Sequence, residues 1–258
     1  MKSIGILGPK GTFTEIAARK FQDDLNFTTE LFYYDTIDHV FSHFKDHDYL
    51  VLPFENTIDG YVQRTLDLLL TYKGFIIKTY DVEINFSYIY NSSHPKHLFS
   101  QFKAYNQCLN FLSNKIYTSI HKTANNVESL NLFIQTSESA AIIPTHLLDP
   151  SIPHIKNIGD QNDNHTRFIV IQKEKASLEY SKHAYVVILN QNDKPGILQN
   201  ILNVFYHKNI NLTSIMSRPT RRFIGSYHFF IELEINGELD KLHEVISSLD
   251  NVTLLGIY

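Results

Sequence analysis

Strands and helices alternate through the first part of this chain, and this alternation restricts the fold more than any other feature. Short apolar or aromatic segments have the length and composition of buried strands, and each precedes a segment with helical periodicity. The predicted strands are 4–7, 30–34 and 49–52, and the predicted helices are 14–21, 37–45 and 61–72. A βαβαβα order is typical of a parallel sheet with helices on both faces.

The middle of the chain predicts a second lobe. Residues 75–91 are rich in Ile, Tyr and Val and lack a helical polar face, which indicates an extended crossing out of the first lobe. Helices are then expected near 105–114 and 124–136, with strands at 116–120 and 140–143. The polar run 160–165 marks the return path. Two α/β lobes joined by crossing strands enclose a cleft, which is a preferred type of ligand site.

The last third predicts a separate domain. The charged segment 173–182 has no apolar periodicity and is interpreted as an interdomain linker. Beyond it, strands are expected at 183–189, 211–215, 226–235 and 253–257, and helices at 197–207 and 239–249. This βαββαβ order is that of a ferredoxin-like domain. A chain of 258 residues is long enough for two domains, each with its own core.

Composition excludes several classes of function. The net charge of −4 gives no reason to expect nucleic-acid binding, which normally uses a basic face. Cys108 is the single cysteine, so an internal disulfide is impossible, and its helical setting predicts a buried structural thiol. The N-terminus runs directly into a strand, which leaves no room for a signal peptide, and no apolar run approaches the roughly 20 residues that span a bilayer. We expect a cytoplasmic protein without membrane partners.

Three polar loops stand at the ends of predicted elements: Gly8–Thr14, Pro53–Gly60 and Asn164–Phe168. The first two lead from a strand into a helix, where free backbone N–H groups favour an anion. The third places a hydroxyl, a cation and an aromatic ring at the start of a buried strand, a place where open α/β folds bind ligands. Together the loops predict one composite site for a small anionic molecule.

The same loops also allow plainer interpretations. Gly8–Thr14 could be a glycine-rich turn that only caps a helix, and Thr57 or Asp59 could cap the next helix. Gly5, Gly8 and Gly11 follow a GxxGxxG spacing rather than GxGxxG, which argues against a dinucleotide site.

Three histidines have a spacing that a metal site could use. His39, His43 and His47 lie at i, i+4 and i+8, and aspartates are near. Continuity of the helix as far as His47 is doubtful, and a solvated polar face is the favoured interpretation. No metal or other cofactor is predicted.

Taken together, these segments resemble the prephenate dehydratase family over the whole chain. The GPKGTFT loop, PFENTIDG and NHTRF are similar to the three signatures of that family, and the segment from Gly196 to Leu198 resembles the glycine-rich part of its regulatory ACT domain. The resemblance implies a two-lobed catalytic domain like type II periplasmic binding proteins, with a central cleft, and a C-terminal ACT domain. We place the catalytic domain at 1–175, with lobe 1 at about 1–75 and 160–175 and lobe 2 at about 76–159, and the ACT domain at 183–258.

The resemblance also implies roles for individual residues. The catalytic set is Thr166, Asn56, Gln107 and Ser100, and the substrate-binding set is Thr12, Phe13, Glu55, Thr57, Arg167 and Phe168. The allosteric set, which would bind L-phenylalanine, is Asn192, Pro195, Gly196, Ile197, Leu198, Ser217, Arg218 and Pro219. Met216 stands where the family usually has Glu before Ser-Arg-Pro, so the strength of phenylalanine control is left open.

The implied reaction converts prephenate into phenylpyruvate, water and carbon dioxide without a cofactor. Thr166 is expected to donate to the leaving hydroxyl. If Arg167 binds the substrate, it is expected to bind the pyruvyl carboxylate, because an interaction with the ring carboxylate would be lost in the transition state. Alternatively, Arg167 braces the cleft through a carboxylate such as Glu55. Arogenate dehydratase and a non-catalytic amino-acid sensor remain alternatives, and a homodimer or homotetramer is expected.

Overall fold

The computed structural model describes residues 2–174, 181–189 and 196–258, which form two β-sheets with helices on their faces. The first lobe contains β1 (Lys2–Leu7), α1 (Phe13–Asp23), β2 (Thr29–Tyr34), α2 (Ile37–Ser42), β3 (Tyr49–Asn56), β4 (Gly60–Tyr61), α3 (Gln63–Tyr72) and β5 (Phe75–Glu83). β1 lies between β2 and β3 and is parallel to both, as the βαβαβα pattern predicts.

The second lobe is a five-stranded sheet in the order β10-β6-β9-β7-β8. Its elements are β6 (Phe86–Tyr90), β7 (His97–Gln101), α4 (Phe102–Asn106), α5 (Leu109–Leu112), β8 (Ser119–Thr123), α6 (Asn126–Gln135), β9 (Ser139–Pro144) and β10 (His154–Ile155). The chain then returns to the first sheet as β11 (His165–Gln172), which lies antiparallel between β3 and β5. The two-lobed α/β architecture predicted from the sequence is confirmed.

The crossing between the lobes comes later than the predicted boundary near residue 75. β5 pairs with β11 as far as Glu83, so the whole of β5 belongs to the first sheet. The chain passes into the second lobe at Ile84, whose N–H donates to the carbonyl of Asn164 on the returning segment at 2.7 Å. Outgoing and returning segments therefore cross side by side.

The predicted helix 105–114 is interrupted. A turn at Gln107 and Cys108 separates α4 from α5, and the Asp160 carboxylate accepts the N–H groups of Leu109 and Asn110, both at 3.0 Å. This carboxylate begins a new helix where local periodicity suggests a continuous one. Cys108 is buried as predicted, and burial raises the pKa of its thiol to about 12.

The three spaced histidines do not share a helix face. α2 ends at Ser42 and a short 3₁₀ turn follows at Phe44–Asp46. His47 is buried, its Nε2 lies 2.7 Å from the Tyr34 hydroxyl, and burial lowers its pKa. Among the described residues, no group of three or more His, Cys, Asp or Glu side chains is arranged to hold a metal.

The C-terminal domain has the predicted βαββαβ order. It comprises β12 (His183–Ile188), α7 (Ile197–His207), β13 (Asn211–Pro219), β14 (Tyr227–Glu234), α8 (Leu239–Ser247) and β15 (Val252–Ile257). The strands are ordered β13-β14-β12-β15. Residues of α7 and α8 pack on one face in a core that includes Ile201, Phe205, Leu242 and Val245. No helix in the described part of the chain is long and apolar enough to cross a membrane.

The C-terminal sheet continues into the sheet of the first lobe. β15 pairs with β5 through Gly256 and Ile76, and the strands form one sheet ordered β13-β14-β12-β15-β5-β11-β3-β1-β2. One apolar cluster crosses the junction: Leu66 and Leu69 of α3 belong to the same core as Tyr185 and Phe230. α3 therefore shields both domains from water, and the predicted linker does not separate two independent cores.

Gly256 is expected to be essential for this junction. A Cβ atom there would lie 2.5 Å from Ile76 Cβ and 2.8 Å from Ile76 O, so Gly256→Ala forces the strands apart. We expect a loss of roughly 1–3 kcal/mol in the free energy of unfolding, measured by urea denaturation. Gly159→Ala is the matched control because its nearest atom would be 3.7 Å away. Equal stability of both variants would contradict the close approach.

Candidate active site

The three polar loops meet in one cavity of about 620 Å³ between the lobes. This size is within the range of small-molecule sites. Six of the predicted catalytic and substrate-binding residues line it: Thr12, Phe13, Asn56, Gln107, Thr166 and Phe168. Two smaller cavities, beside Lys173 and beside Phe223, bring none of these residues together.

Asn56 and Thr166 face each other across the β3–β11 ladder. The Asn56 amide N–H₂ group donates to Asn164 Oδ1 at 2.8 Å, to the His165 carbonyl at 3.0 Å and to Thr166 Oγ1 at 3.0 Å. The orientation of this amide is determined by its oxygen, which accepts the backbone N–H groups of Ile58 at 2.9 Å and Asp59 at 3.0 Å. Because Thr166 Oγ1 accepts from Asn56, the proton of the Thr166 hydroxyl is available to a ligand in the cleft.

The polar chain extends into the second lobe. Asn164 donates from Nδ2 to Gln107 Oε1 at 3.0 Å, and Gln107 lies at the turn between α4 and α5. Asn164 and Thr166 are both buried. A continuous hydrogen-bonded chain thus holds Gln107, Asn164, Asn56 and Thr166 in one arrangement, and buried chains of this kind are rigid when every member has a partner.

The first loop forms another wall of the cleft. Thr12 is the residue before α1, and its hydroxyl donates to the Leu7 carbonyl at 3.3 Å. The Glu15 carboxylate, in the first turn of α1, accepts the N–H of Gly11 at 2.6 Å and so fixes the loop to the helix that follows it. The Phe13 ring packs edge-on against Phe86 of the second lobe, with centroids 6.2 Å apart. The wall therefore joins the lobes and offers an aromatic surface.

Ser100 and Thr57, two other predicted site residues, are not among the residues that line the cavity. Ser100 is fully buried, and its hydroxyl donates to the Gln101 carbonyl at 3.2 Å. Thr57 donates from Oγ1 to the Asp163 carbonyl at 3.1 Å and accepts the N–H of His165 at 3.0 Å, so it holds the start of β11. In this structure both hydroxyls are engaged with backbone groups.

Arg167 points away from the cleft. Side chains alternate along β11, so Thr166 and Phe168 line the cleft while Arg167 lies on the opposite face. There Arg167 NH1 donates to both carboxylate oxygens of Glu232, at 2.9 and 3.1 Å. The Tyr258 hydroxyl donates to the same carboxylate at 2.9 Å, and burial raises the pKa of Tyr258 well above its usual range.

Glu55 shares that opposite face. A bulge in β3 leaves Phe54 without a partner on β11, which allows Pro53 and Asn56 to face the cleft while Glu55 faces Arg167. The Glu55 carboxylate lies 3.7 Å from Arg167 NH1, and burial raises its pKa against the opposing effect of Arg167. Of the two roles predicted for Arg167, bracing through carboxylates is the one that the geometry favours.

The charges of the cleft were only partly predicted. Among the described residues that line it, Lys103 has the one positive side chain, and Asp35 and Asp59 have negative ones. Lys103 lies in α4 between the two positions singled out in that segment, Ser100 and Gln107. This position between two predicted site residues was the one sequence feature that pointed to Lys103 as a residue of the cleft. It was overlooked because a lysine on a short polar helix is usually a solvated surface residue.

The predicted allosteric residues that the structure describes lie toward one end of the C-terminal sheet. Gly196, with φ of +85°, directly precedes α7, and Ser217 lies in register with Phe229, which pairs with Ile188. Asn192 and Pro195 lie outside the described residues. Arg218 turns toward the first lobe, where its guanidinium binds the Asp67 carboxylate at 2.9 and 3.0 Å.

Met216 packs in the apolar cluster shared by the two domains. Ser214, Met216 and Arg218 lie on alternate positions of β13, and the Tyr61 hydroxyl donates to Ser214 Oγ at 2.8 Å. The face of β13 that carries Met216 is therefore part of the interface with the first lobe.

The fold and cleft define a two-lobed α/β protein with a small-molecule site and an appended βαββαβ domain. The prephenate dehydratase family matches residues 4–176, and the ACT domain family matches residues 184–251. The chain therefore belongs to the prephenate dehydratase family and carries a C-terminal ACT domain.

Individual relatives agree with this assignment. The prephenate dehydratase of Methanocaldococcus jannaschii is 35% identical, over 97% of this chain and 95% of its own length. The crystal structure of the Staphylococcus aureus prephenate dehydratase is 26% identical, with a TM-score of 0.81 over 99% of both chains. The Arthrobacter aurescens prephenate dehydratase, crystallised in complex with L-Phe, is 25% identical, with a TM-score of 0.82 over 99% of this chain and 89% of that one.

The Arg167–Glu232 ion pair is expected to stabilise the junction of the two domains. Glu232→Gln should lower the free energy of unfolding by about 2 kcal/mol, less than for a fully buried pair, because the Arg167 side chain is 31% exposed. Glu234→Gln, on the same strand, is the control, since its partners Asn211 and Asn236 are exposed. Urea denaturation of both variants tests this expectation, and an equal loss in the two would contradict it.

Proposed function

We propose that this chain catalyses the decarboxylating dehydration of prephenate to phenylpyruvate. The bond from the ring to its carboxylate breaks, and its electron pair enters the ring, which becomes aromatic. The bond from the ring to its hydroxyl breaks at the opposite carbon, and this oxygen leaves as water after taking up a proton that comes from solvent. The observation that carries the proposal is the Thr166 hydroxyl, which accepts a hydrogen bond from Asn56 and so has its own proton available to a ligand in the cleft.

In this proposal Thr166 donates a hydrogen bond to the departing oxygen. Threonine is a weak acid, so the hydroxyl works by stabilising negative charge that develops on that oxygen, in concert with Asn56 and Gln107. A positioned donor of this kind typically contributes about 10²–10⁴-fold in rate. Phe13 and Phe168 supply apolar surface for the ring, and the loop at Thr12 places the N-terminus of α1 beside the substrate.

Thr166→Ala is expected to lower kcat by about 10²–10⁴-fold and to change KM little, because the lost interaction develops in the transition state. Thr166→Ser retains the hydroxyl and should keep most of the activity. Steady-state assays of phenylpyruvate formation from prephenate measure both variants, with their melting temperatures as a check of folding. Near-normal kcat in Thr166→Ala would remove this hydroxyl from the mechanism.

Arogenate is the second candidate substrate, and a specific feature favours testing it. Arogenate carries an ammonium group where prephenate has a keto oxygen, and Asp35 and Asp59 in the cleft lining are carboxylates that an ammonium group could approach. The wild-type assay therefore compares kcat/KM for the two substrates. A higher value for arogenate would replace the proposed substrate without changing the role of Thr166.

We also propose that L-phenylalanine binds the C-terminal domain and changes the activity. The complex of the Arthrobacter aurescens protein with L-Phe supports this, together with the left-handed Gly196 and the segment Ser217–Pro219 at one end of the sheet. Arg218 and Glu232 bind the first lobe through Asp67 and Arg167. A ligand that shifts β13 or β14 has a direct mechanical path to the strand that carries Thr166.

Saturating L-phenylalanine is expected to change kcat/KM by about 5–150-fold, the range of typical allosteric coupling. The same titration should raise the melting temperature of the wild-type protein. Glycine at position 196 has φ of +85°, so Gly196→Val should weaken both responses. A melting shift without a change in activity would contradict the coupling, and no response in either measurement would contradict binding.

A further inference from the structure

The electrostatics of the cleft pose a problem for a substrate with two carboxylates. Arg167, the predicted carboxylate partner, is engaged by Glu232 on the far face of the sheet. The cleft lining has two carboxylates, Asp35 and Asp59, and among its described residues Lys103 is the one cation. The charged side chains of this lining sum to −1, and Lys103 is the one among them that attracts a dianion.

Lys103 lies opposite the PFENTIDG loop. Its Nζ is 3.1 Å from Asp59 Oδ2, and this ion pair joins α4 of the second lobe to the loop after β3 of the first. The side chains are 62% and 38% exposed, so the pair is hydrated and contributes little to stability. Because both side chains are exposed, the Lys103 ammonium group can leave Asp59 without uncovering a buried charge, and it can bind another carboxylate instead.

We propose that Lys103 binds the side-chain carboxylate of the substrate, and that Asp59 is the counter-ion which this carboxylate displaces. The inference rests on the proposed function. It assigns the electrostatic anchor of the site to a residue that is outside the three signature loops. Asp59 lowers the apparent affinity for the substrate, because the ammonium group must leave it before the ligand can bind.

The choice between the two carboxylates of the substrate follows from the reaction. The ring carboxylate departs as neutral carbon dioxide, so a cation bound to it would stabilise the ground state more than the transition state. The pyruvyl carboxylate keeps its charge throughout and is present in phenylpyruvate. Lys103 bound there assists binding without opposing the chemistry, and the product retains the same contact as the substrate.

A different role for this pair must be distinguished. If Lys103 and Asp59 only hold the two lobes together, removal of either charge breaks the same link, and both variants change KM in the same direction. If Lys103 is the anchor and Asp59 its competitor, the two variants change KM in opposite directions. The sign of the effect therefore separates the two roles.

The test uses Lys103→Gln, Asp59→Asn and the double variant of the full chain, with prephenate as substrate and phenylpyruvate as product ligand. Lys103→Gln is expected to raise KM and the phenylpyruvate inhibition constant together, by about 10- to 100-fold, as for loss of a hydrogen bond between charged groups. Turnover at saturation should change by less than about 3-fold. Asp59→Asn should lower both constants by up to about 5-fold, and should have no such effect in the Lys103→Gln background.

Lys96→Gln is the matched control. Lys96 forms an exposed ion pair with Glu138 at 2.8 Å in the same lobe, and it is not part of the cleft lining. Both constants should stay within about 2-fold of the wild-type values. Direct titration of phenylpyruvate by calorimetry gives a measure of binding that does not depend on turnover.

Three outcomes would overturn the inference. Unchanged constants in Lys103→Gln would remove this residue from substrate binding. A shift in the same direction for Lys103→Gln and Asp59→Asn would indicate a link between lobes. A higher KM with an unchanged phenylpyruvate constant would place Lys103 on the ring carboxylate. Failure of the proposed function itself is recognised separately, since the wild-type protein would then not convert prephenate.

Discussion

The pairing of β11 with strands on both sides is the constraint on which the rest of the structure depends. β5 pairs with β11 along its whole length and β3 pairs with it from Thr166 to Ile171, so the side chains of β11 have no freedom to exchange faces. Thr166 and Phe168 line the cleft, while Arg167 reaches the C-terminal domain. A slip of one residue would exchange these two sets. The strand thus connects the chemistry on one face of the sheet to the second domain on the other.

The C-terminal domain is part of the support of the cleft rather than an attachment to it. Its sheet continues that of the first lobe, and α3 covers the junction with Leu66 and Leu69. Arg218 and Glu232 add two ion pairs to this apolar contact. A ligand can shift an equilibrium only through different contacts in the two states. Here such contacts are available, because a movement of β13 or β14 changes the partners of residues on α3 and β11.

Much of the fold could be predicted because local pattern and final environment agree. α7 spans 197–207 as expected from its apolar spacing, and the three polar loops do meet in one cleft. Two contacts that the sequence did not predict each involve a partner distant in sequence. The Asp160 carboxylate interrupts the helix expected after Tyr105, and Glu232 binds Arg167 from 65 residues away. Neither contact leaves a periodic signal around the residue that it affects.

The close approach of Gly256 in β15 to Ile76 in β5 matters for any attempt to produce the catalytic domain without the C-terminal domain. A fragment that ends at the close of β11 would keep β5 paired with β11 but remove its other neighbour, β15, so that β5 becomes an edge strand, and it would uncover the apolar face of α3. Exposed strand edges beside apolar surface promote association between chains. The first 172 residues produced alone would consequently be more prone to associate than the full chain, in which the C-terminal domain covers this edge and this apolar face.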